Sequence, residues 1–198
     1  MTSPTLRDLV GLDKLPSHIS DSALIMIDLQ NTYTQGVMSL SGVEAATHQA
    51  KIMLDRFRAA SRPVFHIMHD AGAGSPYDVH ADIGQIIASV APVAGEAIII
   101  KNYPSSFEKT NLDEQLKQLG ITNLILAGFM THMCVNSTAR AGFNLGYRPT
   151  IVASTTATRA LPVVGGSELS AAAVHQGALA AVADLFAVVV ADVNDVPA

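Results

Sequence analysis

Ala23-Leu-Ile-Met-Ile27, with Asp28 directly behind it, is a run of five apolar residues that ends on a carboxylate. Five residues are too few for a helix that buries a face. The run is aliphatic on both faces rather than alternating, as a strand covered on both sides should be. The same kind of run recurs at residues 64–68 (VFHIM), 97–100 (AIII), 124–127 (LILA), 150–153 (TIVA) and 187–190 (AVVV). Helical periodicities lie between them. Val43, Ala46, Ala50, Met53, Leu54, Phe57 and Ala60 form one apolar stripe at three- and four-residue steps. Leu112, Leu116 and Leu119 form another, opened by Asn111, Asp113 and Glu114 and closed by Lys117 and Gly120, charges that suit a helix dipole. Residues 134–145 and the Ala-rich residues 169–185 read as two more. Alternation of this kind predicts an α/β fold with a doubly wound, Rossmann-like parallel sheet. Residues 70–95, rich in Gly and Pro, read as loops over the sheet edge. No linker or repeat interrupts the pattern, so residues 1–198 are expected to form a single domain.

Composition narrows the function. Hydrophobic residues make up 49% and charged ones only 15%, which suits a compact globule with much buried aliphatic surface. Net charge is −5 and no cluster of Lys and Arg could follow a phosphate backbone, so no nucleic-acid partner is expected. No apolar stretch approaches the roughly 20 residues that span a bilayer, so no membrane partner is expected either. Cys134 is the single cysteine, which excludes an intrachain disulfide. The first 18 residues have neither a basic start nor an apolar run of signal-peptide length. The expectation is a cytoplasmic protein.

In an open parallel sheet, ligands bind beyond the carboxyl ends of the strands. Asp28 follows ALIMI, Lys101 follows AIII, and a short loop leads from LILA to Cys134. A carboxylate, an ammonium and a thiol would thus converge on one rim. Each has an ordinary reading alone: a core cysteine, a turn-forming aspartate, a solvated lysine. Together they suit nucleophilic acyl transfer. Cys134 at the start of a helix and beside Lys101 should have a thiol pKa below the free value of about 8.5, with Asp28 as proton acceptor.

Leu126-Ala-Gly-Phe-Met-Thr-His-Met-Cys-Val-Asn-Ser-Thr-Ala-Arg140 resembles the nucleophile segment of the isochorismatase-like family, Gly-x-x-Thr-x-x-Cys-Val followed by Thr-Ala-Arg. Ile27-Asp28-Leu29-Gln30-Asn31 is similar to its first motif. Gly95-Glu96 leading to Lys101, then Ser106-Phe107, Thr110 and Leu112, is similar to its third. The resemblance implies a six-stranded parallel sheet between helix layers and a cysteine hydrolase with Cys134 as nucleophile, Asp28 as general base and Lys101 as the cation supporting both. It also implies a cis peptide between Phe129 and Met130, which would aim the Met130 N–H, with that of Cys134, at the substrate oxygen as an oxyanion hole.

Departures from the family's patterns shape the substrate expectation. Nicotinamidases of the superfamily bind a metal through Asp-x-His, whereas here the region reads His66-Ile-Met-His69-Asp70. No metal and no cofactor are expected, with His66 a core residue. Isochorismatases proper lack the nucleophilic cysteine, so Cys134 points away from vinyl-ether hydrolysis. Ser154 stands where the family often has Asp. Tyr33, His80, Phe107, Phe129 and His132 are candidates for the pocket, and His175 for a structural role. The expected reaction is hydrolysis of a C–N bond in a small carboxamide through an acyl-thioester. The alternative is a silent scaffold or binding protein of the same fold. The low surface charge and the Ala-rich residues 169–183 lead us to expect a homo-oligomer, a dimer or larger.

Overall fold

The computed structural model describes residues 3–198. Its main sheet holds β1 (Ser22–Ile27), β2 (Val64–His69), β3 (Ala97–Lys101), β4 (Asn123–Phe129) and β5 (Arg148–Ala157). A small antiparallel hairpin follows, β6 (Leu161–Pro162) with β7 (Glu168–Leu169), before β8 (Val188–Val190) closes the sheet. Strand order is β3-β2-β1-β4-β5-β8, and every neighbouring pair is parallel. The six expected strands are therefore all present. The hairpin is an element that the sequence pattern did not single out. Strand order reverses between β1 and β4, which places the ligand crevice of a doubly wound sheet beyond their carboxyl ends.

β1 and β4 bury both faces, as their unbroken apolar runs require. β3 at the sheet edge instead leaves Ile98 and Ile100 exposed, against the reading of its run as covered on both sides. Leu24 and Met26 of β1 turn toward α2 (Val43–Ala59), where they meet Met53, Leu54 and Phe57. Ala23, Ile25 and Ile27 turn the other way, toward α3 (Leu112–Gln118) and α4 (Asn136–Asn144), with α5 (Ala171–Ala183) on the same side. This two-residue alternation builds a helix–sheet–helix sandwich. Phe57 alone, wholly withdrawn from water, contributes about 1.5–3 kcal/mol. Two residues of the predicted stripes stay outside the core. Ala60 and Leu119 are the last-turn caps of α2 and α3, where the chain already turns away, and both are exposed.

β1 and β4 approach most closely where Ile27 pairs with Gly128. Gly128 has φ +122°, and a Cβ there would lie 1.9 Å from the Ile27 carbonyl oxygen, a backbone atom that cannot step aside. Immediately beyond, Asp28 adopts φ +50°, a left-handed conformation that costs a non-glycine residue roughly 1–2 kcal/mol. The turn carries the chain out of the sheet and leaves the Asp28 side chain at the crevice. We predict that Gly128→Ala destabilises the protein by about 3 kcal/mol or more, since contact and dihedral both oppose it. Denaturant unfolding measures this, and a loss under 1 kcal/mol would show that the strands can separate there.

Candidate active site

Asp28, Lys101 and Cys134 meet at the carboxyl ends of β1, β3 and β4. Lys101 closes β3, and Cys134 lies in a π-helical turn (Thr131–Val135) that runs from β4 into α4. Their relative exposures are 0%, 1% and 5%, so the three groups interact with almost no water between them. Lys101 Nζ stands 2.8 Å from Asp28 Oδ2, 3.4 Å from Cys134 Sγ and 3.3 Å from His69 Nδ1. The ammonium is thus ion-paired with Asp28 and hydrogen-bonded to Cys134 and His69. Apart from Lys101 and the thiol, nothing is placed to donate to the Asp28 carboxylate, which leaves it free to take a proton.

His69, which the sequence allowed to face the site and made at most a weak metal ligand, is held against Lys101. Burial, and then the Lys101 charge, press its pKa below the ordinary value, so the ring is neutral and accepts at Nδ1. Its backbone is gripped by Gln30, whose Oε1 accepts from His69 N at 2.8 Å while Nε2 donates to His69 O at 3.0 Å and Gly84 O at 2.7 Å. Asn31 adds bonds from its own N to Gln85 O and from Nδ2 to Asp82 O. The Gln-Asn pair that follows Asp28 therefore fastens the irregular loop between β2 and β3 over the crevice. Its place in the first motif was the signal for that role. Among the described residues, no group of three or more His, Cys, Asp and Glu side chains is gathered as metal ligands would be.

Tyr33, expected in the pocket, lies beside the triad with its ring edge-on to Phe129 (centroids 5.6 Å) and to Tyr77 (5.8 Å). Burial, then the charges of Asp28 and Cys134, oppose its ionisation. Tyr77, which sequence reasoning missed, completes the aromatic wall and packs edge-on against His69 at 5.1 Å. His132 is half-buried and bonds through Nδ1 to Thr158 Oγ1 at 2.5 Å. The Phe129–Met130 peptide is cis. Two expectations are corrected. His80 is exposed in a turn capped by Asp78, because the loop carries it outward. Phe107 stacks on Tyr147 at 5.4 Å and packs with the α3–α4 layer. His66 bonds to Glu96 at 2.8 Å inside the core, and His175 bonds to Thr131 at 2.9 Å. The Ser154 hydroxyl is buried without a partner.

The thiol corrects a third expectation. Burial raises the Cys134 pKa above its ordinary value, the Asp28 charge raises it further, and Lys101 opposes both without prevailing. Burial also raises the Asp28 pKa, against the pull of Lys101. Counting only the helix start and the lysine left out the desolvation and the anion. Burial disfavours a charge on either acid, and one cation, Lys101, is there to support one anion. Transfer of the proton from thiol to carboxylate leaves the net charge of the site unchanged. Because the thiolate is the reactive form, alkylation speeds up as pH rises through the thiol pKa. We predict that iodoacetamide labelling of Cys134 has its midpoint above the free value of about 8.5. Asp28→Asn should move that midpoint down and Lys101→Ala should move it up. A wild-type midpoint below 8.5 would restore the resting thiolate.

The isochorismatase-domain pattern matches residues 22–192. The chain is 32% identical over 193 residues to the secreted isochorismatase effector Isc1 of Verticillium dahliae, covering 96% of this chain and 99% of that one. It is 29% identical to the ureidoacrylate amidohydrolase RutB of Stutzerimonas stutzeri, covering 73% of each. A crystal structure of an isochorismatase from Pseudomonas putida KT2440 superposes with a TM-score of 0.94 at 37% identity, covering 98% of this chain and all of that one.

Proposed function

As this chain belongs to the isochorismatase family of hydrolases, we propose that it cleaves a C–N bond in a small carboxamide or ureide, with Cys134 as nucleophile. The observation that carries the reading is Lys101 Nζ in contact with both Asp28 and Cys134 at a site where all three side chains are buried. Burying three ionisable groups together costs stability that a merely structural contact rarely repays. A relative named for amidohydrolase activity supports the reaction class.

The chemistry follows from the proton count. Asp28 takes the Cys134 proton as sulfur attacks the carbonyl carbon, and the N–H groups of Met130 and Cys134 receive the oxygen's developing charge. The tetrahedral adduct collapses, the C–N bond breaks, and the Asp28 proton leaves with ammonia or an amine. Water then attacks the thioester, Asp28 removes its proton, and the thiol is restored with release of the acid. Lys101 keeps the site's single negative charge solvated whichever of Asp28 and Cys134 bears it. His69 is a positioning residue that holds the ammonium between the two.

A lone thiol that must stay reduced suits a reducing compartment, which is the basis for placing the chain in the cytoplasm. Among the described residues no helix is long and apolar enough to cross a membrane. Only Val174 and Val182 of α5 are buried, so its remaining Ala-rich surface is offered to a second copy. Light scattering should give at least a dimer at micromolar concentration, and a species near the 20.8 kDa of one chain would refute the assembly.

Kinetics test the mechanism. Cys134→Ala should abolish turnover, and Asp28→Asn should slow it by about 10²–10⁴-fold. The double variant should be no slower than the slower single one, because the residues act as a unit. Acid-quenched wild-type enzyme should carry an adduct on Cys134 equal in mass to the acyl group. Full activity in Cys134→Ala would overturn the nucleophile assignment.

A further inference from the structure

Cys134 sits on a turn that is held largely from outside. The turn Thr131–Val135 folds back on one carbonyl, Met130 O, which accepts from the N–H groups of Met133 at 3.0 Å and Val135 at 3.3 Å. A π-helical turn of this kind is rare and is frequent at functional sites. Its first two residues are each fixed by a side-chain bond to a different element. His132 bonds to Thr158 beyond the end of β5, and Thr131 Oγ1 bonds to His175 Nδ1 of α5 at 2.9 Å. Thr131 is buried, and among the described residues His175 is the partner of its hydroxyl.

α5 offers little other side-chain chemistry. From Ala171 to Ala183 only His175 and Gln176 are polar, and only Val174 and Val182 are buried. Two further bonds join the helix to α4, from Asn136 Nδ2 to Ala178 O at 3.0 Å and from Arg140 Nη2 to Ala181 O at 3.3 Å. Both end on main-chain carbonyls, which any α5 sequence would supply. The bond to Thr131 is the one that depends on which residue α5 carries. Burial presses the His175 pKa below its ordinary value, so an uncharged ring meets the hydroxyl. The ring also borders a cavity of about 530 Å³ between the starts of α2 and α5, so trimming it does not hollow out the packed core.

Thr131 directly follows Met130, and Cys134 lies three residues further on. The N–H groups of Met130 and Cys134 are the pair assigned above to the substrate oxygen. Whatever fixes Thr131 therefore fixes the direction of one donor relative to the other. We infer that His175 is a positioning residue, which through Thr131 holds the nucleophile turn so that those two N–H groups converge on the developing oxyanion. This rests on the hydrolase reading above and adds to it a residue outside both the triad and the turn.

The test sets two reactions of the same thiol against each other. With p-nitrophenyl acetate, Asp28 takes the Cys134 proton, sulfur bonds to the acetyl carbon, and the ester C–O bond breaks to release p-nitrophenolate. That reaction needs the oxyanion donors. Alkylation by iodoacetamide is a displacement at saturated carbon and does not. His175→Ala and Thr131→Val should each lower the maximal rate of acylation, read from the p-nitrophenolate burst, by about 10- to 100-fold, the scale of a misplaced oxyanion donor. The half-saturating ester concentration should not change, and the double variant should be no slower than the slower single one. His175→Asn, whose amide can give or take a hydrogen bond near the place of Nδ1, should restore most of the rate. Iodoacetamide should label Cys134 in every variant at the wild-type rate and midpoint. Hydrogen exchange at residues 130–135 should quicken in His175→Ala and return to the wild-type rate in His175→Asn. An undiminished burst rate in His175→Ala would overturn the inference and leave the hydrolase reading intact. Equal losses of acylation and alkylation, with a lowered melting temperature and no rescue by His175→Asn, would overturn it in favour of a general structural role. Failure of the ester to acylate wild-type Cys134 would sink the hydrolase reading and the inference with it.

Discussion

An ammonium group with almost no water around it organises this molecule. Lys101 can be buried at 1% exposure because it pairs with the Asp28 carboxylate and hydrogen-bonds to Cys134 and His69. Each of those partners sits at the carboxyl end of a different strand or on the turn just beyond one. The ammonium therefore ties together β1, β2, β3 and the segment after β4. It needs the sheet to bring its partners within bonding distance, and the site needs it to make a second ionisable acid tolerable. Coulomb attraction in a dry pocket is strong, but so is the cost of drying it, and the balance closes only where ion pair and hydrogen bonds act together.

The topology serves this constraint. Strand order reverses between β1 and β4, so their ends open into a crevice rather than being covered by a crossover. Close contact between Ile27 and Gly128 sets the separation of the two strands just below that opening. The left-handed turn at Asp28 then lifts the carboxylate out of the sheet plane. Energy spent on an unfavourable dihedral is recovered in the placement of the charge, a common arrangement where function is concentrated.

Much of this was legible from residues alone. Each unbroken apolar run marked a strand, and residues 23–27 are indeed buried on both faces. The run at 97–100, however, lies at the sheet edge with Ile98 and Ile100 exposed, which an apolar run alone does not report. Asp28, Lys101 and Cys134 stood out because charge or thiol directly after a covered strand has few structural uses. What the sequence did not show depends on three-dimensional proximity. The thiol's raised pKa follows from the number of atoms packed around sulfur and from the anion beside it, neither of which spacing reports. His80 and Phe107 were expected in the pocket because loops near strand ends usually face it. Yet Asp78 turns the first outward, and Tyr147 offers the second a stacking surface elsewhere. Tyr77 carries no local pattern, being an ordinary residue made significant by Tyr33 and His69 opposite it.

The anchoring of the loop between β2 and β3 bears on how such a site changes over evolutionary time. Gln30 and Asn31 bind the main-chain atoms of His69, Asp82, Gly84 and Gln85, and Leu29 O receives the N–H of Ile87. None of these bonds uses a loop side chain. Mutation can therefore redraw much of the lining while these attachments stay in place, apart from the turns held by the side chains of Asp70, Ser75, Asp78 and Gln85. Gly84 is an exception, since a Cβ there would meet Asp78 O at 2.1 Å. Separating attachment from lining in this way gives a lineage a conserved reaction and a variable diet.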